Sequence, residues 1–170
     1  MISKKQTLAM ASIATLLLLS ATLASVPLTG TVSAAESGYF TYQLINGDTE
    51  VEITKYNGPA GEVIIPGTIE GKNVTSIGAR AFEDSTLTSI IIPNNVTNIG
   101  NRAFLSCRAL ASVTIGNGVI TIEQYAFCRC TSLTSVAIPE NVTAIGANAF
   151  ASCTSLTSVA IPENVTAIGA

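Results

Sequence analysis

From residue 74 onward the apolar residues recur in fixed columns. Val74, Val96, Val119, Val142 and Val165 form one, Ile77, Ile99, Ile122, Ile145 and Ile168 a second, and Phe82, Phe104, Phe127 and Phe150 a third. Leu87, Leu110, Leu133 and Leu156 make a fourth, followed by Ile90, Val113, Val136 and Val159, and by Ile92, Ile115, Ile138 and Ile161. The interval is 23 residues, or 22 across the shorter Phe82–Leu87 segment, and Cys130–Ala147 recurs letter for letter as Cys153–Ala170. A period of this length means that one unit is one coil, and that its apolar face is buried only by stacking on neighbours.

Within a unit, Val136 and Ile138 alternate with Ser135 and Ala137, the period-2 mark of a strand, which Pro139 ends. Val142–Gly146 predicts a second short extended piece, and Ala147–Ser152 one helical turn or 3₁₀ segment that carries Phe150 inward. The expected fold is a β-rich α/β solenoid of about 23-residue coils.

Two other patterns precede the repeats. Phe40, Tyr42 and Leu44, then Val51 and Ile53, alternate with polar neighbours on either side of Asn46-Gly47. This predicts a β-hairpin with a type I′ turn, because both central residues of that turn need positive φ. Residues 35–66 therefore read as a hairpin cap and lead-in, and 67–170 as the solenoid with its last repeat incomplete. Residues 1–34 have the order of a secretory leader: basic Lys4 and Lys5, an apolar run from Leu8 to Val26, then Val32-Ser-Ala-Ala35. Cleavage is expected after Ala34 or Ala35, leaving no membrane segment. The competing reading, a membrane anchor, is weakened by Ser12, Thr15, Ser20, Thr22 and Ser25 within the run.

The segment Leu133-x-x-Val-x-Ile-x-x-Asn141 and its copy at Leu156–Asn164 resemble the strand-and-asparagine part of leucine-rich repeats. The fuller unit, Ile-Pro-x-x-Val-Thr-x-Ile-Gly-x-x-Ala-Phe-x-x-Cys-x-x-Leu-Thr-Ser-Val, is similar to the BspA-type leucine-rich repeat of bacterial surface proteins. The resemblance implies an exported or surface-attached bacterial protein with a role in adhesion, but it does not by itself assign an activity. A repeat spacer within a longer envelope protein or secreted enzyme is the alternative.

Without the leader, six basic residues face eleven acidic ones, a formal charge of −5, which excludes a nucleic-acid surface. The chain has no histidine, so it lacks the usual general base and the commonest metal ligand. Glu140 and Glu163 share a column, which reads as a solvated edge rather than a catalytic pair. No catalytic, cofactor or metal site is expected. Cys107, Cys130 and Cys153 form a column of small buried residues with Cys128 outside it, and free thiols are expected because neighbouring ladder positions orient poorly for a disulfide. Asn95, Asn141 and Asn164 predict a turn ladder that Gly118 interrupts; the Asn-x-Thr triplets recur simply because the repeat does.

Two surfaces are candidates for an extracellular protein or glycan partner. The first carries Arg80, Arg102, Tyr125 and Asn148 in one column, with Arg108 and Arg129 close by, where Glu83, Asp84 and Glu123 compete as neutralising neighbours. The alternative is the strand face bearing Ser89, Ser112, Ser135 and Ser158, which has neither charge nor aromatic ring. The last repeat stops before its Asn-Ala-Phe, so truncation, fraying or self-association through an open C-terminal end is expected.

Overall fold

Each apolar column becomes a ladder between stacked coils. A computed structural model describes residues 36–169; the expected leader lies outside the described residues. After a short 3₁₀ segment, Glu36–Tyr39, come strands β1 (Phe40–Ile45), β2 (Glu50–Tyr56), β3 (Gly61–Ile64), β4 (Thr68–Ile69), β5 (Lys72–Ile77), β6 (Leu87–Ile91) and β7 (Asn98–Ile99). The remaining coils supply β8 (Ser112–Thr114), β9 (Thr121–Ile122), β10 (Ser135–Ala137), β11 (Ala144–Ile145), β12 (Ser158–Ala160) and β13 (Ala167–Ile168). One sheet runs β1-β2-β5-β7-β9-β11-β13 with β4 on β5, and the other runs β12-β10-β8-β6-β3. From β2 onward the coil-to-coil pairs are parallel, and from β5 onward they are also in unbroken register: Ile77 opposes Ile99, then Ile122, Ile145 and Ile168.

The hairpin is more than a cap. Val51 and Ile53 of β2 pair in parallel with Val74 and Ile77, and Val63 of β3 pairs with Ile90, so residues 50–65 form a degenerate first coil. A register shift between Val51 and Glu52 hides this coil from the column pattern. The hairpin loop is also wider than the type I′ turn expected. Ile45 pairs with Glu50, leaving four residues between the strands, and Asn46, Gly47 and Asp48 all have positive φ.

The clearest departure from expectation lies at Ala147–Ser152, which is not helical. The Ala149 N–H donates to the Gly146 carbonyl, Ala151 to Asn148, and Cys153 to Phe150, giving three successive tight turns, with Asn148 and Ser152 at φ 57° and 60°. Preceding coils repeat the pattern, with positive φ at Arg80 and Asp84, Arg102 and Ser106, and Tyr125 and Arg129. The alternate N–H groups leave the coil altogether: Arg80, Phe82 and Asp84 donate to the carbonyls of Asn101, Ala103 and Leu105 in the next one. A helix needs those donors for its own i−4 carbonyls, and a left-handed residue every fourth position breaks it. The solenoid is thus built of two sheets and a ribbon of turns, almost without helix.

The core lies between the sheets and this ribbon. Phe82, Phe104 and Phe127 are fully buried and stack with centroids 4.8 and 4.9 Å apart, continuing to Phe150 at 5.4 Å and, at the other end, to Tyr56 at 5.3 Å. In the last coil, over which no described coil lies, Leu156, Val159 and Val165 are only half-buried, and Ile161 and Ile168 are exposed. All four cysteines are free and buried. The Cys107, Cys130 and Cys153 thiols donate to the carbonyls of Phe82, Phe104 and Phe127 at 2.9, 3.2 and 3.1 Å. Hydrogen bonds to Cys107 and Cys153, reinforced by burial, push the Cys130 thiol up, so it stays protonated.

Tyr42, half-buried in β1, has the Glu70 carboxylate beside it, next to β4. Burial first, then the interaction with Glu70 and its charge, raise its phenol from 10.0 to about 12. A raised folded-state value stabilises fully below the unfolded value of about 10, and the contribution is lost as pH climbs towards the folded value. Thermal melts should therefore show wild type losing stability faster than Tyr42→Phe between pH 10 and about 12. Parallel curves would remove this shift from the account; the effect is small, because Tyr42 is only half-buried.

Candidate functional site

The turn ribbon determines where the candidate side chains go. Arg80, Arg102, Tyr125 and Asn148 all occupy the first left-handed position of their coil, at φ 57–59°, and Arg129 occupies the second at 62°. A non-glycine residue is unfavourable there by roughly 1–2 kcal/mol. The position is held because the N–H groups of Arg80, Arg102 and Tyr125 each donate to the next coil at 3.0 Å.

This backbone brings Arg80, Arg102, Tyr125 and Arg129 around one open groove of about 240 Å³, with Leu105 and Cys128 between them. Arg108 is not part of it and lines a separate hollow with Asp84 and Ser106. Asn148 continues the column as an exposed residue beyond the groove. The Arg102 guanidinium lies over the Tyr125 ring, 5.3 Å from its centroid, which holds both side chains in place. The sequence marks Cys128 only as the cysteine outside the column; its groove position depends on turn geometry that no column reveals. Burial pushes its thiol up, with Arg129 pulling in the opposite direction.

The three acids near the arginines separate in the structure. Glu83 pairs with Arg80 at 3.7 Å, a surface pair worth at most about 1 kcal/mol. Glu123 is engaged elsewhere, accepting from the Asn98 amide at 2.9 Å, and Asp84 sits in the neighbouring hollow. Among the described residues, Arg102 and Arg129 have no carboxylate within ion-pair distance. Their donors are available to an anion.

The alternative face forms as expected. Ser89, Ser112, Ser135 and Ser158 oppose one another strand by strand on the outside of the second sheet. The four serines carry neither charge nor aromatic ring. The asparagine ladder also forms, with the Asn95, Asn141 and Asn164 amides donating to the carbonyls of Gly67, Asn117 and Glu140.

These features define a leucine-rich-repeat solenoid. The model of the BspA type leucine rich repeat region matches residues 63–170 in six copies, and the chain belongs to that family. Among solved structures, a leucine-rich repeat protein of T. pallidum is 33% identical with a TM-score of 0.76, over 78% of this chain and 62% of that one. One from Bacteroides capillosus is 30% identical with a TM-score of 0.65, over 72% of this chain and 93% of that one. A leucine rich cell surface protein of Faecalibacterium prausnitzii is 30% identical with a TM-score of 0.57, over 78% and 49%. The chain thus spans less than two thirds of the T. pallidum and Faecalibacterium proteins. No curated protein matches it.

Proposed function

We propose that the chain is an exported, non-catalytic binding scaffold that holds an acidic extracellular protein or glycan in the Arg80–Arg102–Tyr125–Arg129 groove. The observation that carries this reading is the convergence of three guanidiniums and one phenol ring on a single groove, two of the guanidiniums without a carboxylate partner among the described residues. Arg and Tyr are the side chains most often found as interface anchors, and Arg matches carboxylate or sulfate in a fork geometry. Export is supported by the leader pattern of residues 1–34 and by the cell-surface relative. The absence of histidine supports a non-catalytic role.

Immobilised heparin, as an acidic glycan probe, and a poly-glutamate peptide, as an acidic protein probe, test the groove against neutral dextran. At least one acidic probe should retain the protein at low salt. Arg102→Ala should weaken that binding by about tenfold, the usual scale of a buried anchor, with folding intact by circular dichroism. Equal retention on dextran, or an unchanged Arg102→Ala variant, counts against the site. A second reading, a repeat module within a longer surface protein, is favoured by the partial coverage of the T. pallidum and Faecalibacterium proteins.

A further inference from the structure

The hairpin closes the N-terminal end of only one sheet. It lies in front of β5, whereas β3, at the end of the other sheet, has a free outer edge among the described residues. The step between them leaves a cavity of about 290 Å³ whose wall carries three aromatic rings, Tyr39, Phe40 and Tyr56, together with Glu62 and Val63. The Phe40 and Tyr56 part of its wall is fixed before any ligand arrives. The Tyr56 ring stacks on Phe82 at 5.3 Å and lies 5.4 Å from Phe40, while its hydroxyl donates to the Pro59 carbonyl at 2.9 Å. Gly58 lies so close to that phenol that any Cβ there would collide with it.

The chemistry of the lining selects for charge. Aromatic faces carry negative partial charge and attract cations. Glu62 is exposed, is the only formally charged residue in the wall, and has no basic partner within ion-pair distance among the described residues. The surrounding segment 35–72 holds six acids and two bases, so the local field also favours a cation. Burial and the nearby Tyr39 push the Tyr56 phenol up, which keeps it neutral. A sugar would need several free polar partners, and the Tyr56 hydroxyl is already engaged by Pro59.

We propose that this cavity binds an organic cation, an ammonium group on an apolar body, with the ammonium between Glu62 and the rings and the apolar part against Phe40 and Val63. The site is independent of the arginine groove and opposite to it in charge.

Calorimetric titration of the purified chain with phenethylammonium chloride, and with sodium phenylacetate and glucose as controls, tests the proposal. Phenethylammonium should bind saturably and more weakly as salt rises, and the two controls should not bind. Glu62→Gln should weaken binding by about tenfold without changing the melting temperature, since Glu62 is exposed. Tyr39→Ala, a second variant at an exposed ring, should weaken it several-fold. Binding of phenylacetate or glucose as tight as the ammonium, failure to saturate, or unchanged affinity in both variants would overturn the proposal.

Discussion

Phe104→Ala is expected to lower the unfolding free energy by about 3–5 kcal/mol, a large part of what a domain of this size possesses. Phe104 is fully buried and has a ring on each side, Phe82 at 4.8 Å and Phe127 at 4.9 Å. Truncation loses the transfer energy of the ring, leaves a void, and breaks two stacking contacts at once. The hole also sits mid-stack, where the coils on either side depend on each other through nearest-neighbour contacts. Urea unfolding should therefore show both a lower midpoint and a smaller m-value, as the two ends begin to unfold separately. Phe150→Ala provides the comparison: Phe150 is half-buried and has one stacked neighbour, at 5.4 Å, so its loss should cost about half as much. Equal costs for the two variants would mean that the stack does not carry the coupling.

Gly118→Ala should destabilise by about 3 kcal/mol through overpacking. A Cβ at Gly118 would lie well inside van der Waals distance of the Asn94 carbonyl oxygen, 2.9 Å from the Asn94 carbonyl carbon and 3.1 Å from the Val96 oxygen. All three are backbone atoms, so no side-chain rotation relieves the contact. The turn would have to lift off its neighbour, taking with it the Asn117 N–H bond to the Asn94 side chain and the Asn141 amide bond to the Asn117 carbonyl. Gly118→Asn, the change that the column pattern suggests as a repair, meets the same obstacle. A Gly118→Asn variant that melts at or above wild type would show that the turn relaxes freely.

Gly118 illustrates what the columns could and could not reveal. Identical side chains at a fixed interval announce a ladder, and the Val, Ile, Phe and Leu columns all became one. They are silent on how closely two coils approach, so a glycine required by contact looked like a gap. The Ala147–Ser152 segment failed for a related reason. Its alanines and inward Phe150 suit a helical turn, but the preceding coil takes its alternate carbonyls, with the Tyr125, Phe127 and Arg129 N–H groups donating to Ala147, Ala149 and Ala151, and a helix would need those carbonyls for its own bonds. Tyr56 joined the aromatic stack unseen because a register shift puts its coil out of step with the repeats. For the groove, the column correctly set Arg80, Arg102 and Tyr125 on successive coils. That Arg129 joins them and Arg108 does not follows from the second left-handed position, which carries no mark in the residue types.

The left-handed column has a consequence for how such a protein changes over time. Arg80, Arg102, Tyr125 and Asn148 differ in charge, size and shape, yet their backbones agree to within 2° in φ. Among the described residues Asn148 keeps this φ without an N–H bond to a further coil, so the conformation follows from the pair of tight turns that flank the position in all four coils and not from the residue that occupies it. Side-chain identity at these four places is thereby decoupled from folding. A library varying these four positions would sample new ligand preferences on an unchanged frame, and natural divergence can follow the same route.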